Sequence, residues 1–239
     1  MPTLRRHLYM LIIPTMAIGA IVILLSSYLI SLRGFSALEE QEAERQTLRV
    51  AQGVAAELAD LDADVMDYSS WNDTCSFVVG ADPDYPASNL TDSLYEAFRL
   101  NLVVILDDAG RMVWGEGYSL ESGDRMPLPA TLGEHLLPGS PLLSHQRPES
   151  SVAGSLLLGD ESWLIASRPI VTSDGEGPIR GTVLMGRLIT ESYLAELSER
   201  LGQPLAVEAA STRSQEMVSV DSVSTGLTAS TTIEGDVIR

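Results

Sequence analysis

Asp67-Tyr68-Ser69-Ser70-Trp71-Asn72-Asp73-Thr74-Cys75-Ser76-Phe77 decides how this chain of 239 residues is read. Upstream of it the pattern is helical: from Ser36 to Ser70 there is no proline and a single glycine, Gly53. Ala51, Val54, Leu58, Leu61, Val65 and Tyr68 recur at alternating spacings of three and four, an apolar seam over two and a half heptads. Two readings fit that seam. It is the contact of a parallel homodimer stalk, or it lays a single helix on its own domain. Downstream come glycine, proline and short β-like runs. The quoted stretch is therefore a junction, with Trp71 at its centre, through which any change in the downstream part reaches the helix. Asp60, Asp64, Asp67 and then Trp71 share one helical face. Three acids in a row suit a hard cation, but no glycine-turned acidic loop accompanies them, so no metal is expected.

Outward from the stalk lies a membrane signal. Leu8 to Leu32 is twenty-five residues without a charge, more than the ~20 that span the hydrocarbon core as a helix. Arg5, Arg6 and His7 precede it, and Glu39, Glu40, Glu42 and Glu44 follow. The positive-inside bias puts the N-terminus in the cytoplasm and the rest outside. The run is too long for a cleaved signal peptide, and no Ala-x-Ala site follows it. The expected organisation is a cytoplasmic tail at 1–7, a transmembrane helix at 8–32, a stalk helix at 33–70 and an extracytoplasmic domain at 71–239.

All fifteen basic residues are arginine, and all thirty-three acids lie after Arg33, so residues 34–239 carry 12 − 33 = −21. Such a surface repels nucleic acid and offers no basic patch for phosphates. The single cysteine, Cys75, excludes an intramolecular disulfide and a cysteine-based zinc site.

The downstream part reads as α+β with an antiparallel sheet. Ser88 or Asn89 caps a helix from about 90 to 100. Leu102 to Leu106, the turn Asp107-Asp108-Ala109-Gly110, and Arg111 to Trp114 form a hairpin, followed by a loop from 115 to 129. Residues 132–137 form a short helix. Residues 155–158 and 163–170 form a second hairpin across Gly159-Asp160. Ile179 to Leu188 is a strand, and Thr190 caps a helix through Leu201 that Gly202 stops. Further strands are expected at 205–209 and 227–233, with 231–238 a hairpin cut before its return, so the natural protein is expected to continue beyond Arg239 into a second span. Asn72-Asp73-Thr74 and Asn89-Leu90-Thr91 match the glycosylation acceptor pattern and agree with an outside location.

Signals for catalysis are sparse. His135 and His145 lack metal-ligand spacing, and no nucleophile-elbow, phosphate-loop or dinucleotide fingerprint occurs. No catalytic residue, cofactor or metal is expected. The reading left is a binding domain. Trp71, Tyr85, Trp114, Tyr118 and Trp163 supply apolar surface with polar handles. Asp67, Asn72, Asp73 and Arg168 can orient a polar small-molecule ligand. For each aromatic the plain alternative is core packing, and for Arg168 it is an ion pair with one of the many acids.

These residues carry a resemblance. Asp60 through Asp67, Tyr68-Ser69-Ser70-Trp71-Asn72-Asp73-Thr74, Phe77-Val78, Tyr85, Asn89-Leu90, Asn101, Asp107 with Gly110, Ala166-Ser167-Arg168-Pro169-Ile170 and Gly177-Pro178-Ile179-Arg180-Gly181-Thr182 are together similar to the fourth class of CHASE domains. These are extracellular sensory domains associated with cyclases and histidine kinases. The resemblance covers about residues 36–200. It implies a receptor input domain of PAS-like, Cache-like extracellular architecture, passing a ligand-dependent signal through membrane helices. Candidate ligand-binding or coupling residues are then Asp67, Trp71, Asn72, Asp73, Tyr85, Asn89 and Arg168. Two departures stand out: Asn72 where relatives usually have Asp, and Cys75 where they usually have an aromatic. The competing readings are a membrane-anchored surface protein that captures a solute or acts as an enzyme alone, and an adhesive ectodomain.

Overall fold

The computed structural model describes residues 3–175, 177–202, 205 and 217–218; for 3–13, 29–44 and 217–218 only the backbone is described. Two compact units divide the chain, one taking Met1–Arg49 and the other beginning at Val50. The first contains the early part of helix α1, which runs over Thr3–Ser69 with Pro14 inside it. Its side chains from Pro14 to Tyr28 are all exposed, and the Ser26 hydroxyl donates back to the Val22 carbonyl at 2.8 Å. Among the described residues no helix is long and apolar enough to cross a membrane.

The second unit holds the last turns of α1 and the helices and strands described after them. Three helices follow the junction, α2 Asn72–Val78, α3 Tyr85–Asn89 and α4 Asp92–Phe98, and a later one, α6, spans Glu191–Leu201. Between them lie strands β1 Leu102–Asp107, β2 Met112–Ser119, β3 Asp124–Met126, β4 Val152–Leu158, β5 Glu161–Pro169 and β6 Gly181–Leu188. The short helix α5, Leu132–His135, and a 3-10 turn at Pro141–Leu143 sit between β3 and β4. The sheet is antiparallel in order β3-β2-β1-β6-β5-β4-β7, with β7 the pair Met217–Val218.

Side-chain alternation explains why this sheet is covered on both faces. Val103 and Ile105 of β1, Leu164 and Ala166 of β5, and Val183 and Met185 of β6 point to one face. There they meet Leu61 and Val65 of α1, Leu94 and Tyr95 of α4, and Tyr193 and Leu197 of α6. Leu102, Val104 and Leu106 of β1, Trp163 and Ile165 of β5, and Leu184 of β6 point the other way, onto Leu132, Leu136 and Leu142. The helices thus concentrate on one face, as the hairpin pattern predicts, and a thinner layer of α5 and loop closes the other.

The apolar seam has its answer here. Leu61 and Val65 are 0% exposed in the core, with Val54, Leu58 and Tyr68 packed against it. The seam is taken up by the chain's own sheet, and it is not free to form a homodimer contact at Leu61. Heptad spacing and the stripe of a helix lying on a sheet share a period over so few turns, so sequence cannot separate them.

Other local expectations shift modestly. The helix expected from about 90 to 100 is α4, with Thr91 at its N-cap rather than Ser88 or Asn89, and a short helix the sequence did not announce, α3, precedes it. Residues 115–129, expected as loop, contain the rest of β2 and the short β3. Thr190 does cap α6, accepting from the Tyr193 amide at 3.1 Å, and Gly202 ends it in the left-handed conformation with φ 65°. The strand expected at 227–233 and the hairpin at 231–238 lie outside the described residues, as does all but Leu205 of the one at 205–209.

Candidate functional site

Two strands of the sheet carry an arginine in phase with their core-facing residues. On β6 the sequence Val183, Met185, Arg187 continues one face, and on β5 Leu164, Ala166, Arg168 does the same. Both arginines therefore reach the side where α1 lies, and α1 offers acids at matching places in its buried stripe.

Arg187 is 6% exposed. Its Nη2 donates to Asp64 Oδ2 at 2.7 Å, its Nε to the Phe98 carbonyl at 3.2 Å, and its Nη1 lies 3.4 Å from Glu57 Oε2. Glu57, also buried, accepts from the Tyr193 hydroxyl at 2.7 Å and pairs with Arg200 through Oε1 at 2.7 Å. Burial alone raises the Glu57 carboxyl, but the hydrogen bonds from Tyr193 and Arg200 and both arginine charges outweigh it and hold its pKa below the usual range. Asp64 goes the other way: burial, with Asp60 and Asp67 nearby, lifts it against the pull of Arg187. The acid row at Asp60, Asp64 and Asp67 is thus divided, with Asp64 turned to the sheet and the other two exposed.

Between Glu57 and Asp64 on α1, Asp62 takes Arg168 in a bidentate pair. Nε donates to Oδ1 at 2.7 Å and Nη2 to Oδ2 at 2.5 Å, and the Ser151 hydroxyl also donates to Oδ1. A forked guanidinium on a carboxylate fixes orientation as well as distance. Two charge clamps therefore fasten α1 to adjacent strands.

The end of α1 is held by backbone. The Val171 amide donates to the Ser69 carbonyl at 2.9 Å. The Asn72 side-chain oxygen accepts from the Ser173 amide at 3.1 Å, and the Asn72 amide donates to the Ser173 hydroxyl at 3.2 Å. The loop after β5 thus ties down both helices of the junction. A carboxylate would accept the same bond from Ser173, so Asn72 in place of Asp keeps the tie.

The remaining sequence candidates are spread around this junction. Trp71 is 38% exposed and meets Tyr68 edge-on at 5.7 Å, so it is no core residue. Asp67 and Asp73 are exposed. Tyr85 is buried, stacked on Phe77 at 5.1 Å, with its hydroxyl 2.7 Å from Thr74 Oγ1. Burial pushes the Tyr85 phenol up to about 12. Asn89 donates to the Tyr85 carbonyl at 3.1 Å. Cys75 is half-buried, and burial pushes its thiol up. The structure gathers Asp67, Trp71, Asn72 and Asp73 at one place and puts Arg168 on the clamp.

Sequence reasoning passed over Glu57, Asp62, Arg187, Tyr193 and Arg200. A signal existed: Glu57 and Asp64 flank Leu61 on the buried stripe, and Arg187 ends an inward-facing series on an otherwise apolar strand. Asn101 is buried too and bridges three strands, donating to the Tyr118 carbonyl at 3.0 Å and accepting from the Leu188 amide at 2.9 Å.

One constellation invites a catalytic reading. His145 Nε2 lies 3.3 Å from the Ser167 hydroxyl. Ser167 is 0% exposed, however, and His145 Nδ1 meets the Ser150 hydroxyl at 3.2 Å rather than a carboxylate. Burial, reinforced by the Arg168 charge, lowers the imidazole to about 4. A base that weak beside a sealed hydroxyl does not make a nucleophile at neutral pH.

The α+β body, its sheet gripping an incoming helix, is of a kind that comparison with known proteins identifies. Residues 54–208 match the CHASE4 domain, and the chain belongs to this family of sensory input domains. Over 153 residues it is 27% identical to the methanogenesis regulatory histidine kinase FilI of Methanothrix harundinacea (strain 6Ac). That match takes in 64% of this chain and 17% of the kinase, so the chain spans a small part of that relative's length. Among solved structures it is similar to the periplasmic domain of Vibrio cholerae LuxQ, at 11% identity and a TM-score of 0.41, covering 67% of this chain and 71% of that one.

Proposed function

We propose that this chain is the extracytoplasmic, ligand-sensing input region of a transmembrane receptor of the histidine-kinase type. Membership in a sensory family supports the sensing role, and the relative FilI is by name a histidine kinase. The uncharged run from Leu8 to Leu32 supports an anchor that leaves the later residues outside. The antiparallel sheet flanked by helices is in keeping with a PAS-like, Cache-like body.

The observation that carries the reading is the pair of clamps from α1 to β5 and β6. A ligand shifts a receptor only by binding two arrangements unequally. Fastened at Glu57, Asp62 and Asp64, α1 cannot slide or turn without rearranging those charges, so two discrete registers are favoured over a continuum. Trp71 and Asn72, just beyond the helix end, follow the same movement. Signalling as a pair belongs to this reading, with the pair formed ahead of Val50, because Leu61 and Val65 are engaged within one chain.

The test is a fusion of the chain to a histidine-kinase core in membrane vesicles. Soluble metabolite pools added on the domain's side should change autophosphorylation. Pools that bind the chain yet leave the phosphorylation rate constant across the panel would refute the receptor reading.

A further inference from the structure

A groove of about 540 Å³ lies between α3, the start of α4 and strands β2 and β3, away from the clamps. Pro83, Pro86, Ala87 and Leu90 give it apolar walls, with Trp114 beside them. Its charged members are Asp84, Asp92, Glu116 and Arg125, a formal −2. Arg125 is fully engaged. It pairs with Glu116, with Asp92 at 2.6 Å, and donates to the Leu90 carbonyl at 3.2 Å. Its guanidinium also lies over the Tyr95 ring at 4.7 Å and the Tyr118 ring at 5.6 Å. An anionic ligand would have to take this arginine from two carboxylates.

Behind the wall two polar atoms are left over. Tyr95 is 0% exposed. Its hydroxyl and the Trp114 Nε1 are both buried without a hydrogen-bond partner among the described residues, although Tyr95 neighbours Trp114 and Arg125. Buried polar groups are usually satisfied, and burial raises the Tyr95 pKa by more than the Trp114 and Arg125 N–H groups beside its oxygen pull it down. Asp84 is exposed on the rim of the groove.

We propose that this groove binds a small organic cation, an amine with a compact apolar body. The excess of carboxylates holds the charge, the indole adds attraction for a cation, and the prolines and Leu90 take the apolar part. The net −21 of residues 34–239 draws cations toward the surface in general, and the indole with its apolar walls makes this groove the place of binding. The proposal rests on the reading of the chain as a ligand sensor and supplies the class of ligand.

The experiment is calorimetric titration of the full chain in nanodiscs with phenethylammonium, against phenylacetate as the carboxylate of similar shape. Phenethylammonium should bind saturably, at least about tenfold tighter than phenylacetate, and weaken as salt rises from about 50 to about 500 mM. Asp84→Asn should weaken it by about two- to fivefold, the range for one exposed charge. Asp160→Asn, in the turn between β4 and β5, should leave it unchanged. Trp114→Phe, melting like the wild type, should also weaken it. No saturable binding, equal binding of phenylacetate, or an Asp84→Asn titration that matches Asp160→Asn would overturn the proposal. Binding is read here without kinase output, so a cation that binds while the fused kinase stays silent sustains the groove and refutes the receptor reading alone.

Discussion

Replacing Arg187 by methionine should be among the most damaging single changes in this domain. Methionine keeps much of the length and fills the space left by the alkyl stem, so the loss is chiefly electrostatic. Arg187 faces two acids with side-chain exposures of 6% for Glu57 and 17% for Asp64. Breaking a buried pair by removing one partner costs about 3–5 kcal/mol, because a charge stays buried without compensation. Arg200 and Tyr193 still serve Glu57, and Asp64 keeps some water, so the lower end, about 3 kcal/mol, is expected. For a domain of this size that lowers the melting temperature by about 6–12 °C. The assay is a thermal melt of the chain in nanodiscs, followed by tryptophan fluorescence. Adding Asp64→Asn to Arg187→Met should restore part of the loss, a coupling of about 1 kcal/mol or more. The comparison is Arg99→Met, which breaks the exposed pair with Glu196 and should cost less than about 1 kcal/mol. If Arg187→Met melts no lower than Arg99→Met, the buried clamp does not hold α1 and the reasoning fails.

The junction gives a second test. Asn72→Ala loses the bond from the Ser173 amide and should cost about 1 kcal/mol, whereas Asn72→Asp should melt like the wild type. Acidification gives a third. Burial lowers His145 to about 4 in the fold, against about 6.5 unfolded. The unfolded chain therefore binds the proton first, and stability should fall as pH drops from about 6.5 toward 4, by about 2 kcal/mol after allowance for partial solvent access. His145→Gln should flatten that slope in melts taken across the range. Gly181 gives a fourth: a Cβ there would sit 2.0 Å from the Leu106 carbonyl oxygen. Gly181→Ala should cost about 3 kcal/mol, while Gly133→Ala, with open space around it, should be nearly neutral in the same melts.

Much of the sheet was legible because its signals are local. The turn at Asp107 to Gly110, the strand phases of β1, β5 and β6, and the Thr190 cap with the Gly202 stop are each written within a few residues. The clamps were not legible, because their partners are far apart in sequence: 106 positions separate Asp62 from Arg168, and 130 separate Glu57 from Arg187. Arg168 was legible as one half of an ion pair, but which of the many acids it takes, and that Arg187 has any partner at all, show only when the fold brings helix stripe and strand face together. Trp71 was ambiguous in a different way. The sequence leaves core packing and a junction role both open there; the helix ends at Ser69, the next begins at Asn72, and the indole between them stays 38% exposed against the edge of Tyr68. Strand β3 escaped notice because three residues, Asp124 to Met126, with two charges carry no apolar alternation.

The central claim is that α1 carries the state of the sheet to the output through its charge clamps. Autophosphorylation of the chain fused to a histidine-kinase core tests it most directly, with Asp62→Asn releasing the fork on Arg168 and Glu196→Gln releasing an exposed pair as the comparison. Measured at a temperature where both proteins remain folded, Asp62→Asn should shift the basal rate by at least about threefold in either direction, since little more than half a kcal/mol between two states suffices for that, and Glu196→Gln should leave it at the wild-type value. A basal rate for Asp62→Asn equal to that of Glu196→Gln and of the wild type would contradict the claim.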